Sequence, residues 1–81
     1  MRLDKYLKVS RIIKRRTVAN EACDAGRIEV NDKVQRASYD VKVNDVIKIN
    51  LGAKPLVVRV AAVNEITTKE TASQNYEVIE N

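Results

Sequence analysis

Apolar residues recur every three or four positions up to Gly26 and every second position after it. Leu3, Tyr6 and Leu7 fall at i, i+3 and i+4, which predicts a first helix over residues 2–9 with these three on its buried face. Asp4 suits the helix N-terminus and can pair with Lys8 one turn on. Ser10 interrupts the pattern, and Ile12 and Ile13 give the short turn that follows a buried anchor. Val18, Ala19, Ala22 and Cys23 make the stripe of a second helix over residues 18–25, packing on the first through Leu3, Leu7, Val18 and Ala22. Thr17 is its expected N-cap and Gly26 its C′ residue, with Asn20, Glu21 and Asp24 pointing outward.

Beyond Gly26 the character changes. The chain holds 19 valines and isoleucines, 15 of them after this glycine, and β-branched side chains favour strands. Residues 27–30 alternate polar and apolar, Asn31-Asp32 signals a turn, and Lys33-Val34 begins the return strand. Val41 and Val43 alternate with Lys42, and Asn44-Asp45 marks a second turn. Residues 46–49 and 56–63 read as strands joined by a loop over residues 52–55. Residues 67–75 read as a polar, flexible loop, and residues 76–79 as a last edge strand. The expected fold is α+β: two packed N-terminal helices, then a small, mostly antiparallel sheet of about four to five strands. One domain over residues 1–81 is expected, with its core motif in about 1–50 and a C-terminal strand extension in 51–81.

Composition narrows the function. A domain of 81 residues buries only about 60–65% of its unfolded surface and has little core to give up to a deep cavity. With one cysteine and no histidine, zinc sites, iron–sulfur sites and Ser-His or Cys-His nucleophile pairs are excluded. No cofactor, metal or catalytic residue is expected. The lone Cys23 reads as a small buried hydrophobe, and a reducing cytoplasm is the expected compartment. No apolar run reaches the roughly 18 residues of a membrane span, so no membrane partner is expected.

Charge is unevenly placed. Residues 1–16 carry seven cations (Arg2, Lys5, Lys8, Arg11, Lys14, Arg15 and Arg16) against Asp4 alone, a net +6. Residues 17–81 carry eight basic and ten acidic residues, a net −2. A field concentrated in this way recruits a polyanion. Arg15 and Arg16 sit just before a helix start, where planar guanidinium forks and free backbone N–H groups suit phosphate oxygens. The alternative is that they pair with Asp4, Glu21 or Asp24 and only stiffen the turn. There is no Phe or Trp, and Tyr6 lies on the apolar face, so no aromatic platform for single strands is present. Backbone and shape recognition of folded, largely double-helical RNA is the expected mode. Asp32 and Asp45 read as turn residues rather than catalytic acids. A protein–protein adaptor using residues 56–63 as an exposed edge strand is a further possibility.

Several strings together resemble the S4 RNA-binding domain family: Arg2-Leu3-Asp4-Lys5, Arg15-Arg16-Thr17, Gly26, Val30-Asn31-Asp32 and Val43-Asn44-Asp45-Val46-Ile47. Asp32 and Asn44 replace the glycines usual in the two turns, though both tolerate positive φ. With no enzyme attached, the chain is similar to S4 proteins related to heat-shock protein 15, above all to those of ribosome-associated quality control. The resemblance implies an RNA-binding protein that is not an enzyme. It would bind large-subunit rRNA and peptidyl-tRNA on stalled, split large ribosomal subunits. There it would support alanine tailing of the nascent chain by a tailing factor on the same subunit. It implies Arg2 and Arg16 as the leading RNA contacts, followed by Lys5, Arg11, Lys14 and Arg15, in a monomeric protein.

Overall fold

The computed structural model describes residues 1–65, 68 and 70–80, with only the backbone of residue 80. Two helices come first, α1 (Leu3–Val9) and α2 (Arg16–Asp24). They are followed by β1 (Ile28–Val30), β2 (Lys33–Val34), β3 (Val46–Ile49), β4 (Leu56–Val60), a 3₁₀ turn (Ala72–Asn75) and β5 (Tyr76–Glu80). The strands form one antiparallel sheet in the order β2-β1-β3-β4-β5. This is the α+β arrangement expected from the sequence.

Alternation along the strands decides which face is covered. Ile28 and Val30, Ile47 and Ile49, and Val58 and Val60 are buried, while the residues between them are half-exposed. Leu3, Tyr6 and Leu7 of α1 and Ala19, Ala22 and Cys23 of α2 complete the same core. The alanines leave room for the helices to pack closely. At about 25 cal/mol per Å² of apolar surface, this shared burial is the main stabilising term.

Both helices end alike. After α2 the N–H groups of Gly26 and Arg27 donate to the carbonyls of Cys23 and Ala22 (3.0 Å each), and Gly26 takes φ 76°. This is a Schellman closure with glycine where it is expected. After α1 the N–H groups of Arg11 and Ile12 donate to Lys8 and Leu7 (3.0 and 3.1 Å), and the left-handed C′ residue is Arg11, φ 59°. Asn31 (φ 52°) and Asp32 (φ 67°) make the two-residue hairpin turn between β1 and β2, so the turn survives without its glycine. Asn44 (φ 77°) does the same in the second turn. There Asp45, buried, accepts bonds from Asn31 Nδ2, the Tyr39 hydroxyl and Lys42 N–H (2.9–3.0 Å), which is a turn residue's work.

Several expectations are corrected. Helix α2 starts at Arg16, with an extended Arg15 as N-cap and no side-chain cap, so Thr17 lies in the first turn. Val18 is 42% exposed and does not join the stripe. Residues 41–43 form no strand. Asp40 instead makes an isolated bridge to Arg2, flanked by bonds from Leu3 N–H to Tyr39 O and from Val41 N–H to Met1 O (2.8 Å each). Strand β4 ends at Val60 because the N–H groups of Ala61 and Ala62 leave the ladder for the Asn75 carbonyl (2.8 and 3.1 Å). It lies between β3 and β5, both of which it pairs with, so it offers no free edge and cannot serve as an adaptor strand. The edges are β2 and, as expected for the last strand, β5. Of the predicted loop over 67–75, Thr67 and Lys69 lie outside the described residues, whereas Ala72 and Asn75 are buried in the 3₁₀ turn.

Candidate nucleic-acid interface

Asp4 organises the basic end of the molecule. One turn into the chain, it does not reach for Lys8, which is exposed; its carboxylate is 2% exposed and turned toward α2. Arg2 grips it side-on, with Nε to Oδ1 at 3.1 Å and Nη2 to Oδ2 at 3.4 Å. Arg16 Nε and Asn20 Nδ2 reach Oδ2 at 3.4 and 3.2 Å, and the Lys5 N–H reaches Oδ1 at 2.8 Å. Arg16 and Asn20 are neighbours at i, i+4 on α2, so a single helix face delivers both. Burial pushes the Asp4 carboxyl pKa up, but the bonds from Arg2, Asn20, Lys5 N–H and Arg16 outweigh it and hold it below the usual carboxylate range.

The two arginines are 49% exposed, so each guanidinium has one edge on the acid and another in solvent. Arg2, Asp4, Arg16, Thr17, Asn20 and Glu21 line an open cleft of about 440 Å³. The other four candidates do not line it. Lys5 is half-buried beside it and pairs with the exposed Glu65 (Nζ to Oε1 3.3 Å). Arg11, Lys14 and Arg15 lie in the connector between the helices, exposed, and among the described residues make no ion pair. So the structure joins Arg2 to Arg16 through one carboxylate and leaves the connector cations solvated. The arginine–Asp4 pairing weighed as an alternative is real for Arg16, and Arg2 shares it. The trio keeps a net +1.

Sequence reasoning did not find Asp4 as the hub, and read Asn20 and Glu21 as pointing to solvent. The i, i+4 pairs Arg16–Asn20 and Thr17–Glu21, set beside an acid in the Arg-Leu-Asp-Lys string, were the available signal. Tyr6 is fully buried, its hydroxyl donating to the Asn75 carbonyl at 2.6 Å, and burial pushes its pKa up to about 12. Cys23 is buried too, and desolvation together with Asp4 and Asp24 pushes its thiol up to about 11. Neither is a stacking or reactive group. Among the described residues no helix is long and apolar enough to cross a membrane.

The model of the S4 domain family matches residues 1–47. The chain is 57% identical over 79 residues to the RQC P-site tRNA stabilizing factor of Streptococcus pneumoniae (strain ATCC BAA-255 / R6), covering 98% of this chain and 90% of that one. It is 47% identical over 79 residues to the factor of the same name from Bacillus subtilis (strain 168), covering 98% and 92%. Among solved structures, the trimeric structure of Vibrio cholerae Heat Shock Protein 15 matches with a TM-score of 0.90 over 96% of this chain and 80% of that one, at 23% identity, which speaks for the fold alone. With the family model spanning more than half of the chain and full-span relatives at 47–57% identity, this chain belongs to the S4 domain family, in the group of the RQC P-site tRNA stabilizing factors.

Proposed function

We propose that the protein binds tRNA in ribosome-associated quality control, and that it does so on stalled, split large ribosomal subunits, where it also contacts large-subunit rRNA. It steadies the peptidyl-tRNA while a tailing factor on the same subunit adds alanines to the nascent chain, and it acts in the cytoplasm as a monomer. It catalyses nothing: its part is to bridge two RNAs. The observation that carries this reading is the pair of half-exposed guanidiniums, Arg2 and Arg16, fixed by one buried carboxylate in a shared cleft. The names of the full-length relatives support the tRNA and the pathway.

The physical case is preorganisation. A free arginine side chain carries about 2 kcal/mol of rotamer entropy, part of which is lost on meeting a phosphate. Asp4 holds both side chains beforehand, at the expense of one unit of positive charge. Arg16 keeps two terminal nitrogens and Arg2 one for a phosphate fork. Arg11, Lys14 and Arg15 supply long-range attraction, with Lys5 free to exchange Glu65 for phosphate.

Co-sedimentation with purified large subunits tests this. The Arg2→Ala, Arg16→Ala double variant leaves the buried Asp4 only Asn20 and the Lys5 N–H, so it should melt below wild type; assayed at a temperature where circular dichroism shows it folded, it is expected to lose association. Each lost phosphate contact lowers the slope of log affinity against log salt by about 0.7–0.9, so the double variant should lose about 1.4–1.8. Unchanged co-sedimentation of the folded variant refutes the site. A second reading, a general structured-RNA chaperone or ribosome-assembly factor, predicts scattered crosslinks in cells rather than adjacent rRNA and tRNA contacts.

A further inference from the structure

The cleft holds more than a phosphate clamp requires. Both Asp4 oxygens are already occupied, Oδ1 by Arg2 Nε and Lys5 N–H, Oδ2 by Arg2 Nη2, Arg16 Nε and Asn20 Nδ2. The acceptors left open are Thr17 Oγ1, Asn20 Oδ1 and the Glu21 carboxylate, and among the described residues neither the Thr17 hydroxyl nor Glu21 has a side-chain partner. Thr17 and Glu21 lie one helical turn apart on the row next to Arg16 and Asn20, so all four face the same opening. A carboxylate beside two guanidiniums weakens their hold on phosphate and accepts no bond from it. Its partner must donate N–H or O–H. At about 440 Å³ the open cleft falls within the roughly 300–1,000 Å³ of small-ligand sites, enough to seat one nucleotide.

Base chemistry narrows the ligand. Among the four RNA bases guanine alone presents two adjacent donors, N1–H and N2–H, on one edge. Uracil's N3–H lies between two carbonyls, and the amino groups of cytosine and adenine each sit beside a ring nitrogen acceptor. A carboxylate with two free oxygens matches the guanine edge and is repelled by the acceptors of the others. Resting on the RNA-binding reading above, we infer that the cleft between α1 and α2 takes a single unpaired guanosine, with Glu21 accepting from N1–H and N2–H while Arg2 and Arg16 hold its flanking phosphate. Glu21 is thereby a specificity-determining residue, and the protein reads one base without an aromatic platform.

Fluorescence anisotropy of the full chain tests this with hairpin RNAs that differ only in a one-nucleotide bulge: guanosine, inosine, adenosine, cytidine or uridine. The guanosine bulge should bind about tenfold tighter than adenosine, cytidine or uridine, and inosine, which lacks the 2-amino group, should fall between. Glu21→Gln and Glu21→Ala should bring the bulges to within about twofold of one another, with the non-guanosine hairpins bound as well as before or better, because a repulsive charge is gone. A merely structural Glu21 would weaken all five alike and overturn the inference. So would wild-type binding indifferent to the base, or a guanosine preference that survives Glu21→Ala. If base-indifferent binding is abolished in the Arg2→Ala, Arg16→Ala variant, only the guanosine site fails. Failure of every hairpin to bind at low salt removes the RNA-binding reading as well.

Discussion

Replacing Asp4 by Asn keeps the size of the hub and removes its charge. The carboxylate accepts five contacts, of which the Lys5 N–H at 2.8 Å and Arg2 Nε at 3.1 Å are the short ones. The others lie between 3.2 and 3.4 Å and are correspondingly weaker. An amide can keep the Lys5 N–H on its oxygen, but turns an NH2 group toward Arg2, Arg16 and Asn20, where donor meets donor. Severing a fully buried ion pair on one side costs about 3–5 kcal/mol, and the half-exposed arginines can recover some solvation, so about 2–3 kcal/mol is expected. In a domain of this size 1 kcal/mol moves Tm by about 4–8 °C, so Asp4→Asn should melt about 10–20 °C below wild type at pH 7. The gap must also depend on pH. The folded-state pKa of Asp4 lies below its unfolded value, so its contribution is complete above about pH 4 and disappears as acid protonates the folded carboxyl. Thermal melts followed by circular dichroism from pH 7 to pH 2 should therefore show the two proteins converging in acid. A variant within about 3 °C of wild type at pH 7, or a gap that persists undiminished at pH 2, refutes the hub.

Three further outcomes are expected. Tyr6→Phe should cost about 1 kcal/mol by urea titration with an unchanged m-value, since Asn75 O keeps the Ala61 and Ala62 donors; no loss would show the 2.6 Å bond to be idle. Cys23 should resist iodoacetamide at pH 7.5 until urea is added, and its thiol (about 11) and the Tyr6 phenol (about 12) should both erode stability in alkali: their contributions are whole below the unfolded values near 9 and 10 and vanish as pH rises through the folded ones, as an alkaline titration of Tm would register. Arg11→Gly should raise stability by about 0.5–1 kcal/mol, since a left-handed C′ residue suits glycine, while lowering the salt slope of RNA binding by about 0.7–0.9; a destabilised Arg11→Gly would contradict the strain ascribed to φ 59°.

Local signals carried the parts of the fold that local chemistry governs. The 3.6-residue period placed α1, the Asn31-Asp32 pair placed the hairpin, and Gly26 marked the end of α2 within a residue or two. What failed was decided at a distance. Asp4 beside Lys8 looks like a surface pair until α2 brings Arg16 and Asn20 onto it from 12 and 16 residues away. Thr17 has the better capping chemistry, yet the helix begins before it, because Arg16 must lie in the first turn to face Asp4. Arg11 occupies a glycine's position with nothing in its neighbours to announce it. The candidate cations were legible as a group, since a net +6 over sixteen residues needs no geometry. Their division into a clamped pair and a solvated connector was not, because the clamp is a tertiary contact.

Asn75 sits 28 residues beyond the end of the family match, at zero exposure, with its carbonyl taking the Tyr6 hydroxyl and its amide reaching Ser10 Oγ at 3.3 Å. The helix that carries Arg2's partner is thus riveted from behind by the far end of the polypeptide. Anyone grafting residues 1–47 onto another scaffold would strand the phenol of Tyr6 without its acceptor, cut β3 after Ile47 and remove the β4 that pairs with it. The transplant would keep Arg2, Asp4 and Arg16 and lose the wall they lean on, so this arrangement travels with the residues behind it or not at all.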